Sequence, residues 1–187
     1  MSEIDPKHMQ CFYASKEQSH CPIITNILTI GKQLQKLSDI SQNSQEIYAS
    51  MLYGKRVVIN TPPASITKAA VKDFIEIIDF DPVKNTMLLI GQKKPRWTAA
   101  IHWYIHKTLK GNRCLIEISD KKKEQSWKET FPVIKKESSP INMIKNILSF
   151  MKNNQIIFLE TIGVFILLND INEVEKIILP LYEERTC

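Results

Sequence analysis

The chain has 187 residues, of which 43% are hydrophobic and 24% charged, with a formal net charge of +5. That apolar fraction suits one domain with a sizeable core and excludes a disordered chain, and no apolar run approaches the roughly 20 residues of a bilayer span. The opening residues, Met1 to His8, carry acids and no apolar stretch, so no secretory leader is expected and the expected location is cytoplasmic.

Residues 1–21 are polar and mixed, and are expected to form an N-terminal arm ahead of a domain over 22–187. Ile23, Ile24, Ile27, Leu28, Ile30, Leu34 and Leu37 follow Pro22 at helical spacing, which predicts an amphipathic helix. A polar loop follows over 38–45. Ile47 to Leu52 and Arg56 to Asn60 read as strands around a turn at Tyr53, Gly54 and Lys55. Thr61, Pro62 and Pro63 end the second strand, because proline cannot donate to a ladder. Ser65 is expected to cap a short helix through Lys72. Phe74 to Phe80 and Thr86 to Ile90 then read as a hairpin.

Thr98 to Leu109 is expected to be a helix, stopped by Lys110, Gly111 and Asn112. Arg113 to Ile118 reads as a buried strand holding Cys114. Residues 119–138 are charged and weakly patterned, with a short strand at Phe131 to Val133. Ser139 and Pro140 signal a helix that carries Ile141, Ile144, Ile147, Leu148 and Met151. Ile156 to Leu159 and Gly163 to Leu168 read as paired strands. Asp170 and Glu173 have capping-box spacing before a last helix, Ile171 to Glu184. Hairpins together with three longer helices predict an α/β fold of three-layer α/β/α type, in which a single mostly antiparallel sheet is flanked by helices.

The four cysteines form no CxxC pair, so a disulfide framework is not expected, although a Cys11–Cys21 link stays open. No acid occurs from Pro82 to Ile116, a stretch holding Lys84, Lys93, Lys94, Arg96, Lys107, Lys110 and Arg113. Such a stretch can favour an anionic ligand, against the plainer reading of a solvated surface. Nothing in it matches a nucleic-acid recognition motif. His102 and His106 lie four apart on one helical face. With Glu117 or Asp120 they could form a metal site, but ordinary helix histidines are the better reading. Neither a Ser-His-Asp set nor a Cys-His set can be assembled from the sequence, and glycine-rich nucleotide motifs are absent.

Three stretches, in this order, resemble the class II aldolase/adducin family. The first runs from Arg56 through Thr61, Pro62, Pro63 and Ala64 to the hairpin beginning at Asp73 and Phe74. Pro95 to His102 is the second, and Leu159 to Val164 the third. The family includes fuculose- and rhamnulose-phosphate aldolases and ribulose-phosphate epimerases, and binds a divalent ion through a His-x-His pair and a third histidine before a glycine. On this chain the resemblance puts those ligand positions at Glu117, Ser119 and Ile162, and the family's acid/base glutamate at Thr98. The family's phosphate-facing loops fall near Gln45 and Glu46, on Pro63 and Ala64, and on Arg96 and Trp97.

The resemblance therefore implies the aldolase fold without its metal, and no cofactor is expected. It implies a non-catalytic protein that binds a partner protein or a small anion, with any residual anion site centred on Lys94, Arg96, Trp97 and His102. The alternative is a metal-dependent lyase, dehydratase or epimerase acting on a phosphorylated sugar through a rearranged site. Family membership would also imply a homo-oligomer, of tetrameric form. No membrane or nucleic-acid partner is expected.

Overall fold

A computed structural model describes residues 9–37, 46–109, 111, 113–135, 137 and 140–182. The loop expected over 38–45, the helix stop at Lys110 and Asn112, the cap at Ser139, the side chain of Ile141 and the end of the last helix lie outside the described residues. Among these residues nine strands form one sheet in the order β1-β5-β4-β3-β2-β6-β9-β8-β7. They are β1 (Gln10–Ser15), β2 (Glu46–Tyr53), β3 (Arg56–Asn60), β4 (Phe74–Asp81), β5 (Thr86–Ile90), β6 (Cys114–Ser119), β7 (Val133–Ile134), β8 (Ile156–Leu159) and β9 (Gly163–Leu168). The two outermost pairs, β1 with β5 and β7 with β8, are parallel, and the inner pairs are antiparallel. Parallel edges follow from connectivity, since a strand joined to its neighbour by a long crossover need not reverse direction. Among the described residues no helix is long and apolar enough to cross a membrane.

Successive strand residues face opposite sides of a sheet. Ile47, Ala49 and Met51 of β2 and Ile116 and Ile118 of β6 therefore join one apolar cluster, with helices α1 (Ile24–Lys36) and α5 (Val174–Ile178). Leu115 of β6 and Phe165 of β9 join a cluster on the other face with α2 (Ala99–Thr108) and α4 (Pro140–Met151). Ala99 and Ala100 extend α2 onto a third cluster over β3, β4 and β5. Helix α2 thus lies across the middle of the sheet, above β2 and β6.

Four expectations are corrected. Part of the 1–21 lead-in is not an arm: Gln10–Ser15 is β1, in parallel register with Thr86 to Ile90. Its alternation is real, but the inward residues Cys11 and Tyr13 are only half-buried at a sheet edge, so the apolar signal is weak. Ser65 starts no helix through Lys72. Two 3-10 turns, Ile66–Lys68 and Val71–Asp73, occupy the segment, broken at Ala70, whose N–H donates to the Asp73 carboxylate over 2.7 Å.

The segment 119–138 contains a helix, α3 (Glu124–Thr130), anchored by one large side chain, Trp127. The Trp127 indole N–H donates to the Leu181 carbonyl at 3.2 Å, and its ring meets Tyr182 edge-on. A single apolar anchor leaves no periodicity to read. The last helix is likewise discontinuous. Asp170 caps it by accepting from the Asn172 N–H at 2.9 Å, and 3-10 turns at Ile171–Glu173 and Leu179–Leu181 flank α5. Pro180 lacks the N–H an α-helix would need there. Cys11, Cys21 and Cys114 are free thiols, so no Cys11–Cys21 link exists.

Candidate functional site

The face of β2 that looks toward α2 carries Glu46, Tyr48 and Ser50, and the matching face of β6 carries Leu115, Glu117 and Ser119. The register sets Tyr48 opposite Glu117 and Ser50 opposite Leu115. His102 and His106 project from one side of α2 onto these strands, and both are buried with Ser50 and Glu117. A polar chain results. Ser50 Oγ lies 2.7 Å from His102 Nδ1 and 2.8 Å from His106 Nε2. His102 Nε2 lies 3.2 Å from Glu117 Oε2, and the Phe165 ring covers the imidazole at 5.6 Å.

With Glu117 as a carboxylate and both rings uncharged, one proton arrangement serves all three contacts. His102 donates from Nε2 to Glu117, which makes Nδ1 an acceptor. The single Ser50 proton goes to that Nδ1. His106 must then donate its Nε2–H to Ser50 Oγ. Burial, and secondarily the neighbouring His102, lowers the His106 pKa to about 3, which keeps that ring neutral. Burial also pushes the Cys114 thiol far up, so it supplies no thiolate beside this chain.

Arg96, in the loop that leads into α2, closes the other end. Its Nη1 donates to Glu46 Oε2 at 2.7 Å and sits 3.5 Å from Glu117 Oε1, and its guanidinium carbon lies over the Tyr48 ring, 4.9 Å from the ring centre. Burial pulls the Arg96 pKa down, but Glu117, Tyr48 and Glu46 together push it above its ordinary value. Glu117 Oε1 has no directed hydrogen bond and depends on the Arg96 charge.

The structure brings together two of the four candidate binding residues. Arg96 and His102 meet through Glu117. Lys94 is exposed and has no contact with Glu117 among those described; burial raises the pKa of Cys11 on β1, and the charge of Lys94 pulls against that rise. Trp97 packs half-buried against the apolar cluster of α2 and α4, as does Ile162. Thr98 is buried at the start of α2, where its carbonyl accepts from Ile101 and His102 N–H groups.

The three positions matching the family's metal ligands do not suit a divalent ion. Glu117 is already engaged by Arg96 and His102. Ser119 Oγ donates to the Ile162 carbonyl at 2.9 Å, and the Ile162 side chain has no ligand atom. His102 and His106 converge on a serine hydroxyl. Among the described residues no group of three or more His, Cys, Asp or Glu side chains is placed to hold a metal ion. A cavity of about 80 Å³ opens beside Ser119, lined by Lys121, Glu124, Trp127, Thr161 and Gly163, and it excludes Arg96 and both histidines.

Sequence reasoning missed Ser50 and Tyr48, and reached Glu46 only as a position near a phosphate-facing loop. A usable signal existed for Ser50: a lone polar residue at an inward position of an otherwise apolar strand needs a buried partner, and the His102/His106 pair offered one.

No protein-family model matches this sequence, and no curated protein matches it either. Solved structures do. An L-fuculose-1-phosphate aldolase from Thermus thermophilus superposes with a TM-score of 0.62 at 10% identity, covering 85% of this chain and 88% of the other. A sugar-phosphate aldolase from Thermotoga maritima gives 0.54 at 12% identity over 88% and 99%. The N-terminal class II aldolase domain of a Thermoplasma acidophilum protein gives 0.55 at 9% identity over 87% and 91%. The chain has the class II aldolase fold.

Proposed function

We propose that this class II aldolase-fold chain is non-catalytic and acts by binding, in a homo-oligomer, rather than by metal-assisted carbon–carbon bond chemistry. The observation that carries the reading is the state of Glu117. The side chain at the first ligand position is wholly buried and held by Arg96 and His102, and the chain of contacts continues through Ser50 to His106. A fold alone never fixes function; the residues at the site do. Metal-assisted aldol chemistry needs a ligand set with open positions and a proton-transferring side chain. Here the ligand positions hold a committed carboxylate, a hydroxyl bonded to a carbonyl and a hydrocarbon, and Thr98 stands in place of the glutamate.

Of the two binding modes, a protein partner is favoured over a small anion. An anion at Arg96 would have to displace Glu46 and would lie close to Glu117. Like-charge juxtaposition of that kind opposes binding. The reading is tested by supplying purified protein with zinc, manganese or cobalt, measuring bound metal by elemental analysis, and assaying cleavage of fuculose 1-phosphate. Substoichiometric metal and no turnover are expected. One tightly bound ion per chain with turnover would overturn it. Light scattering at micromolar concentration should give a multiple of the chain mass of 21.6 kDa, and monomer mass would remove the oligomer from the proposal.

A further inference from the structure

We infer that Arg96 is a tethered cation filling a built cation site, formed by the buried carboxylate of Glu117, the rim carboxylate of Glu46 and the ring face of Tyr48. The inference builds on the non-catalytic reading but fails separately: metal taken up by the wild-type protein removes that reading, whereas the variants below bear on Arg96.

The site has the makings of a cation receptor. Glu117 is 0% exposed, and a carboxylate taken out of water needs a positive partner to stay charged. His102 satisfies one oxygen, Oε2, while Oε1 has no directed hydrogen-bond partner and faces Arg96 Nη1 at 3.5 Å. Glu46 supplies a second carboxylate at 2.7 Å from the same nitrogen. Tyr48 offers its ring face at 4.9 Å, a surface that attracts cations and suits the flat, weakly hydrated guanidinium. Two carboxylates and an aromatic face thus converge on one guanidinium group. The Glu46 side chain is 60% exposed, so the receptor opens to solvent on that side and is sealed at Glu117. Lysine would reach the carboxylates only as a point charge, without the planar fork that lets one guanidinium face both of them and the ring.

If Arg96 is the site's own cation, removing it leaves a buried negative charge without a counter-ion. Arg96→Ala should lower the midpoint of thermal unfolding by roughly 5–15 °C, as expected for breaking a buried pair in a chain of this size. Adding Glu117→Gln to Arg96→Ala removes the stranded charge and should recover most of that loss. A free guanidinium ion should also fill the vacancy. Tens of millimolar guanidinium chloride should raise the midpoint of Arg96→Ala relative to the same concentration of sodium chloride, while lowering that of wild type. Should Arg96→Ala fail to fold, the double variant decides, because it folds only if the stranded Glu117 charge is the cause. The inference is overturned if Arg96→Ala is as stable as wild type, if the double variant is no more stable than the single one, or if guanidinium destabilises Arg96→Ala as it does wild type.

Discussion

Ser50 Oγ lies 2.7 Å from His102 Nδ1, and this contact joins the second strand of the chain to the helix that crosses the sheet. The same oxygen meets His106 Nε2 at 2.8 Å, so one hydroxyl serves both imidazoles as donor to the first and acceptor from the second. Alanine removes that oxygen altogether.

Ser50→Ala should therefore leave a buried donor on His106 and a buried acceptor on His102 unmet. Each unmet group costs about 1–3 kcal/mol, so a total loss of roughly 2–6 kcal/mol is expected. Urea unfolding should show a lower midpoint with an unchanged slope, because the packing of α2 is retained. A loss under about 0.5 kcal/mol would mean that water or a shifted rotamer serves the rings, and that the polar chain is not continuous.

His106 makes stability depend on pH. Its pKa falls from the ordinary histidine value of 6.5 to about 3 on folding, chiefly through burial. A base whose folded pKa is depressed is protonated more readily in the unfolded chain. Its contribution is complete above about pH 6.5, falls as pH drops below that value, and is gone once pH passes below the folded pKa near 3. A shift of that size corresponds to a loss on the order of 5 kcal/mol across the window. Denaturation series at pH 7, 5.5 and 4 should show a steep decline for wild type and a flatter one for His106→Leu. Parallel declines would place the pH sensitivity in other groups.

The periodicities that predicted the sheet and its long helices come from residues buried along their whole length, such as Ile27, Ile30 and Leu34 of α1 or Val164 to Leu168 of β9. Those elements were legible because burial forces an apolar residue at every inward position. Strand β1 was not, because an edge strand buries only part of one face. Helix α3 was not, because Trp127 alone fastens it. At the site, the residue types that the resemblance sets at the metal-ligand positions, Glu117, Ser119 and Ile162, could be read directly. The replacement could not, since the chain of contacts depends on strand register: Tyr48 faces Glu117 only because β2 and β6 pair as they do. Arg96 was singled out for an anion outside the protein, and the charges it meets are the protein's own Glu46 and Glu117.

Trp127 should prove the most costly single side chain in the segment 119–138. It is 1% exposed, and its indole N–H satisfies the Leu181 carbonyl beyond the end of α5. Trp127→Ala is expected to cost about 3–5 kcal/mol, from the cavity left behind together with the orphaned carbonyl. Trp127→Phe keeps most of the volume and should cost less than half as much. Near-ultraviolet circular dichroism and urea unfolding would separate the two, and equal losses would show that the hydrogen bond, not the packing, holds α3 in place.

Gly163 stands where no other residue fits. Its φ is +140°, a backbone conformation that L side chains rarely adopt, and a Cβ there would lie 2.1 Å from the Ile118 carbonyl oxygen. The obstacle is backbone in the neighbouring strand β6, so it cannot rotate away. Moving it would break the β6–β9 ladder at Ile118 and Val164 and pull Ser119 from the Ile162 carbonyl. Gly163→Ala should cost roughly 3–5 kcal/mol, combining backbone strain with overpacking, or prevent folding altogether. Gly54 provides the control. It also has positive φ, at +60°, but a Cβ there meets nothing within 4 Å. Gly54→Ala should therefore cost only about 1 kcal/mol, the strain of the conformation itself. If both substitutions cost the same when measured by urea unfolding, strain alone accounts for the effect and the close approach of β9 to β6 at Gly163 carries no energetic weight.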